Sequence, residues 1–171
     1  MRSKPSIIAR EKRDVLKKKV SETFLNEADA YLYDPGICIF GQARTAAETG
    51  AVTGMHDPTE GGLAGGLWEL AERAGCGFEV DADRVTVLPH CGTLSGLFHL
   101  NPLKLIASGA LLITVRPAGT GALESAFQRS DVALARIGRI IPDAARRIMK
   151  RGAHFETVEQ PIVDEIHKIW E

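Results

Sequence analysis

A layered α/β or α+β domain is the fold this sequence predicts, and three observations predict it. Apolar runs of strand length alternate with amphipathic runs of helix length. Glycine and proline fall at the joints between them. The chain has 171 residues, which suits one domain. A chain of this size hides roughly 70% of its extended surface on folding, so a core forms without disulfides or a metal. Apolar residues make up 44% and charged residues 25%, the balance of an ordinary soluble protein.

The first fifty residues read as helical, with Ile7, Ile8, Val15, Leu16 and Val20 at helical spacing among charges. Ser21 and Glu22 open a second helical stretch, and Asp34-Pro35-Gly36 breaks it. Residues 37–49 resume a helix that ends at Gly50. Residues 51–55 form a short run of buried-strand character. The strongest helix is 60–74, with Leu63, Leu67, Leu70, Ala71 and Ala74 on one face and Gly75 as its stop. Residues 77–81 alternate as a strand, Phe78 and Val80 on one side.

Leu88-Pro89 opens a short helix carrying Leu94, Leu97 and Phe98, and Asn101-Pro102 caps another over 103–107. Residues 110–115 are a continuous apolar strand closed by Pro117. A helix over 121–130, a strand over 132–141, a hairpin turning at Arg151-Gly152 and a helix over 161–170 complete the expected order.

Cys38, Cys76 and Cys91 are odd in number and unpaired in spacing, which points to reduced thiols and a cytoplasmic location. The apolar run 110–115 is far too short to span a membrane, and the basic N-terminus lacks the apolar run of a secretory signal. Zinc through Cys76, His90, Cys91 and His99 lacks the ligand spacing such sites need. Net charge is −1 but unevenly spread. Eight Lys/Arg fall in residues 1–20, and a second basic cluster runs from Arg136 through Arg139, Arg146, Arg147 and Lys150 to Arg151. No aromatic residues are interleaved in these clusters, so they read as solvated faces and nucleic acid is not the expected partner.

Chemistry concentrates in Gly54-Met55-His56-Asp57-Pro58-Thr59-Glu60-Gly61-Gly62-Leu63, which leaves a strand and enters the strongest helix. Glycines allow close backbone approach, and the first N–H groups of a helix point outward with partial positive charge, a ready anion site. Thr59 can cap the helix or offer a hydroxyl to phosphate, and Asp57 can face a ligand hydroxyl or metal. The same residues equally describe a plain Asp-Pro turn with a Thr cap. They are not a P-loop: no Gly-Lys-Ser/Thr follows, and Glu60 repels an anion.

His56-Asp57-Pro58-Thr59-Glu60-Gly61-Gly62-Leu63-Ala64, continuing to Ala71, resembles the Gly-rich signature of the C-terminal domain in AIR-synthase-related proteins. Tyr33-Asp34-Pro35-Gly36-Ile37, the run from Asn101 to Leu112 with Ser108-Gly109, and Ile137-Gly138-Arg139-Ile140 resemble further landmarks, in order. The upstream and middle landmarks fit the branch nearest the hydrogenase maturation factor that dehydrates a carbamoyl group. The resemblance implies a three-layer α/β/α domain with a mixed sheet, of the AIR synthetase C-terminal type, over 51–171. Residues 1–50 then form a helical segment leading from an ATP-binding domain.

The family's members bind ATP and Mg mainly through that N-terminal domain, which has no counterpart in these residues. The implied partner is therefore that ATP-binding domain or a second polypeptide, the alternative being a truncation. The implied role is to contribute a Gly-rich loop binding substrate or anion through His56, Asp57, Thr59, Gly61, Gly62 and Ser108. ATP and Mg are not expected to bind tightly to this chain alone. An apolar face left without its domain implies a homo-oligomer, with Trp68 as an interface residue. The family's reactive C-terminal cysteine is not matched by Ile169-Trp170-Glu171, so thiol-borne chemistry is not expected. A stand-alone module that binds a phosphorylated metabolite or partner protein without catalysis is the rival reading.

Overall fold

The structure, a computed structural model, describes residues 2–130, 132–160 and 162–170. Its N-terminal part is helical: α1 (Ser3–Glu11), α2 (Arg13–Leu16) and α3 (Glu22–Ala30). Ser21 is the N-cap of α3, its hydroxyl accepting from the Phe24 amide at 3.1 Å. Ile8, Leu16 and Leu25 are fully buried. Past the bend at Lys12, Leu16 turns inward and Val15 stays 48% exposed. Asp34-Pro35, a cis peptide, closes this part before α4 (Phe40–Glu48).

β1 (Val52–His56) pairs antiparallel with β3 (Leu112–Val115). A register shift between Val52 and Gly54 turns Val52 to the side of Ile113 and Val115, where all three pack against Ala46 of α4 and Leu123 and Phe127 of α7 (Thr120–Arg129). On the other side lies α5 (Gly62–Ala74), whose Gly66 approaches His56 and Leu112. The ribbon is thus sandwiched between helices, the expected α/β/α layering. Both strands were expected to be buried. A two-stranded ribbon covers them only in part, and Met55 is 39% exposed.

The second sheet has the order β4–β2–β5–β6 and is mixed. β2 (Gly77–Asp81) pairs antiparallel with β4 (Gly138–Ile141) and parallel with β5 (Arg147–Arg151). β5 forms the expected hairpin with β6 (His154–Thr157), turning at Gly152. Leu63, Leu67 and Ala71 of α5 pack on Phe78, Val80 and Met149 of this sheet. Leu70 is only partly buried and Ala74 is exposed, because the buried stripe follows every fourth residue from Leu63.

A further cluster joins Ile8, Leu16 and Leu25 to Leu94 of α6 (Pro89–Leu97), Leu105, Ile166 and Ile169. Three expected elements are shorter or absent. Residues 103–107 are not helical, although Asn101 Oδ1 accepts from the Leu103 amide at 3.0 Å. Their carbonyls serve other elements: Leu103 O accepts from Ala64 N at 3.0 Å and Lys104 O from Glu165 N at 3.0 Å. Of 132–141 only 138–141 is strand, because β2 offers partners no further than the Ile137 carbonyl, bonded to Asp81 N at 2.7 Å. The last helix is a 3-10 turn, Glu165–Ile169, N-capped by Asp164. Residue 161, its expected start, lies outside the described residues.

Candidate functional site

β1 delivers His56 to the start of the β1–α5 turn, and buried Pro58 anchors that turn against Gly66. The side chains of Asp57, Thr59 and Glu60 are exposed along its rim. His56 Nε2 lies 2.6 Å from Glu69 Oε2, about two helical turns into α5. The Thr59 carbonyl accepts from Gly62 N at 3.1 Å and from Ala107 N at 3.1 Å. That second bond ties the turn to the segment carrying Ser108. The Ser108 carbonyl in turn accepts from Arg2 N at 3.0 Å and Ser3 N at 3.4 Å, capping α1. The structure therefore places Asp57, Thr59 and Ser108 on two adjoining loops, with His56 at the end of β1 where the first loop begins.

The glycines serve a different purpose from the expected one. Gly62 has φ +63°, and a Cβ there would lie 2.3 Å from the Leu105 carbonyl oxygen. Only glycine fits so close a crossing of two backbones. The Gly61 amide donates to Asp164 Oδ2 at 3.0 Å in a buried bond, and Asp164 Oδ1 accepts from Ile166 N at 2.8 Å. Gly62 N and Ala64 N are bonded to the Thr59 and Leu103 carbonyls. The expectation that Gly61 and Gly62 hold open amides toward an anion is corrected: a carboxylate of the chain itself, 6% exposed, occupies that position. What remains open at the turn is side-chain chemistry, Asp57 and Thr59 above all.

Asp164 was missed by sequence reasoning, since 103 residues separate it from Gly61. The one local signal was an Asp two positions before the apolar Ile166, an N-cap pattern. Lys4 was also missed. It is fully buried, its Nζ donates to the Pro102 carbonyl, and burial lowers its pKa to about 8, opposed by nearby Cys91 and Asp164. Burial likewise raises the Cys91 thiol. His90 bridges Tyr31 and Glu27. Among the described residues no three His, Cys, Asp or Glu converge as a metal site. Trp68, expected at an interface, packs at the edge of the sheet core with the Arg147 guanidinium 5.2 Å above its ring.

Residues 16–150 match the family model described as AIR synthase related protein, C-terminal domain. The chain is 31% identical over 91 residues to the carbamoyl dehydratase HypE of Rhizobium leguminosarum bv. viciae, a match covering 52% of this chain and 26% of that protein. It thus spans about a quarter of that relative's length. Among solved structures, hydrogenase maturation protein HypE in complex with ATP superposes with a TM-score of 0.60 at 24% identity, over 68% of this chain and 38% of that one. A ThiL complexed with AMPPCP and TMP superposes with a TM-score of 0.60 at 14% identity, over 88% of this chain and 45% of that one. At these identities the superpositions establish the fold.

Proposed function

The chain belongs to the AIR synthase related family as its C-terminal domain, and from that premise we propose that it is the substrate-facing half of an ATP-dependent enzyme. The reaction class is activation of an amide or carboxamide oxygen by phosphorylation. ATP and Mg would be held by an ATP-binding domain or second polypeptide outside these residues. At the β1–α5 turn the residues present fit neither group alone: the Gly61, Gly62 and Ala64 amides are engaged internally, and no acidic cluster converges among the described residues.

One observation carries the reading. The β1–α5 turn is locked from behind by Asp164, Leu103 and Ala107, yet keeps Asp57 and Thr59 open in front. A backbone held this firmly positions side chains for chemistry at low entropic cost. The Asp57 carboxylate orients substrate N–H or O–H groups, and the Thr59 hydroxyl donates to developing oxyanion charge. The surface beside it is suited to covering by another domain: Tyr33 is 74% exposed, Phe40 71% and Ile37 40%, with Ile37 beside Gly109. The rival reading, a stand-alone phosphate-holding module, loses its amide seat to Asp164.

The test is an ATPase assay with calorimetry on the isolated chain. The expected result is no turnover and no tight ATP binding that depends on Asp57 or Thr59. Turnover that disappears in Asp57→Ala would place the nucleotide site on this chain and overturn the reading.

A further inference from the structure

The basic cluster of residues 136–150 has no part in the β1–α5 turn, and the fold gathers it. β2, β4, β5 and β6 turn one side chain in two toward the core and the other toward solvent. Phe78, Val80 and Met149 face inward. Their neighbours Glu79, Ile148 and Lys150 line a groove of about 400 Å³ on the outer face. Arg84, Arg136, Arg139, Arg146 and Lys150 supply five cations to this groove, against the carboxylates of Glu79 and Asp81.

Both carboxylates are already engaged. Glu79 Oε2 accepts from Arg139 Nη2 at 2.6 Å and Oε1 from Arg146 Nη2 at 2.8 Å, which holds Glu79 below the ordinary carboxylate range. Asp81 lies 3.6 Å from Arg84 and accepts from the Asp83 amide. Arg136 and Lys150 form no ion pair with the described residues, so the groove keeps unmatched positive charge. Phe155, directly across from Lys150 in the β5–β6 register, is 70% exposed. A bare aromatic ring beside a cation, on a floor formed by Ile148, is an apolar platform with an anion clamp next to it.

Three strand spacings separate β6 from β4, roughly 14 Å. That distance spans a ring stacked on Phe155 and a phosphate reaching Arg139 of β4 and Arg136 just before it. The volume is of small-ligand size.

We propose that the outer face of the four-stranded sheet binds a phosphorylated small molecule carrying an aromatic ring, of the nucleotide class, with its ring on Phe155 and its phosphate between Lys150, Arg139 and Arg136. The site shares no residue with the β1–α5 turn, so it stands or falls separately from the function proposed above.

The test titrates the full chain with AMP, adenosine and pyrophosphate, reading backbone amide shifts by NMR. Expected is saturable binding of AMP with shifts confined to the four strands β2, β4, β5 and β6 and the residues flanking them, weaker binding of pyrophosphate, and little of adenosine. Phe155→Ala should weaken AMP about tenfold and leave pyrophosphate nearly unchanged. Lys150→Ala should weaken both about tenfold. Both side chains are exposed, so an unchanged amide spectrum establishes that each variant is folded. No AMP binding, or AMP binding indifferent to Phe155→Ala, overturns the proposal. So does a single-stranded RNA that binds far more tightly than AMP with a steep salt dependence, which would assign the face to nucleic acid instead.

Discussion

Gly62 shows how much of the loop depends on one missing carbon. Its φ of +63° and the 2.3 Å between a would-be Cβ and the Leu105 carbonyl oxygen make two separate demands, and an alanine meets neither. Gly62→Ala should therefore cost roughly 2–4 kcal/mol, the sum of left-handed strain and overpacking against fixed backbone. Urea denaturation measures it, and a loss under half a kcal/mol would mean that the two loops do not cross this closely. Lys4 makes the second residue-scale prediction. Burial lowers its pKa from 10.5 to about 8, so between those values the unfolded chain carries a proton that the folded chain has released. Stability then rises with pH across that window, the reverse of an ion-paired lysine. Cys91 opposes it at the upper end, because its raised thiol stays protonated in the folded chain while the unfolded thiol ionises. The difference between wild type and Lys4→Met isolates the lysine: wild type should gain on the variant from pH 8 to 10.5. A constant difference would mean that Lys4 is not buried. In the sequence, the motif around His56 to Gly62 marked the turn at which the candidate site is proposed. It could not mark what fills it, because Asp164 meets Gly61 across 103 residues, and no local pattern encodes a pairing that distant.

Elements were legible where their hydrogen bonds close locally. α3 is an example: Ser21 marks its start, and the Phe24 amide takes that hydroxyl at 3.1 Å. Ser21→Ala should lower stability by about 1 kcal/mol, and Ser21→Asp should restore most of it, since a carboxylate both caps and suits the helix N-terminus. Thermal denaturation followed by circular dichroism reads both, and equal losses in the two variants would remove the cap from the account. α5 and the β5–β6 hairpin were legible for the same reason, periodicity in one and Gly152 in the other. Residues 103–107 show the opposite. Asn101 caps as a helix start should, but the carbonyls of Leu103 and Lys104 are taken by Ala64 and Glu165. Capping chemistry starts a turn; continuing it requires carbonyls that no other element claims. β4 was read too long because an apolar run signals strand, whereas the partner strand decides where pairing ends.

At the scale of the whole molecule, the decisive feature is that two hydrophobic clusters meet across one short strap. The α5–sheet cluster contains Leu63, Phe78 and Met149, with Trp68 at its edge. The helical cluster contains Ile8, Leu25, Ile166 and Ile169, and Trp170 follows it directly. Between them, Asp164 caps the Gly61 amide at 3.0 Å, and Glu165 Oε2 accepts from the Asn101 amide at 2.6 Å. Two adjacent carboxylates thus fasten the strap to the Gly-rich turn and to the 101–105 segment. Each bond is charge-assisted and at least partly shielded, so each contributes on the order of 1.5–3 kcal/mol. That is enough to couple two clusters into one cooperative unit. The chain has two tryptophans, and they report one cluster each. In Trp170→Phe and Trp68→Phe single-tryptophan proteins, urea transitions should coincide, as one unit requires. Adding Asp164→Asn with Glu165→Gln keeps side-chain volume but weakens both bonds. The Trp170 transition should then fall to lower urea than the Trp68 transition, because the strap and its helical cluster open first. If both transitions move down together, the clusters are coupled through α1 and the 101–105 segment without the strap. The Gly-rich turn would then owe its rigidity to Leu103 and Leu105 rather than to Asp164.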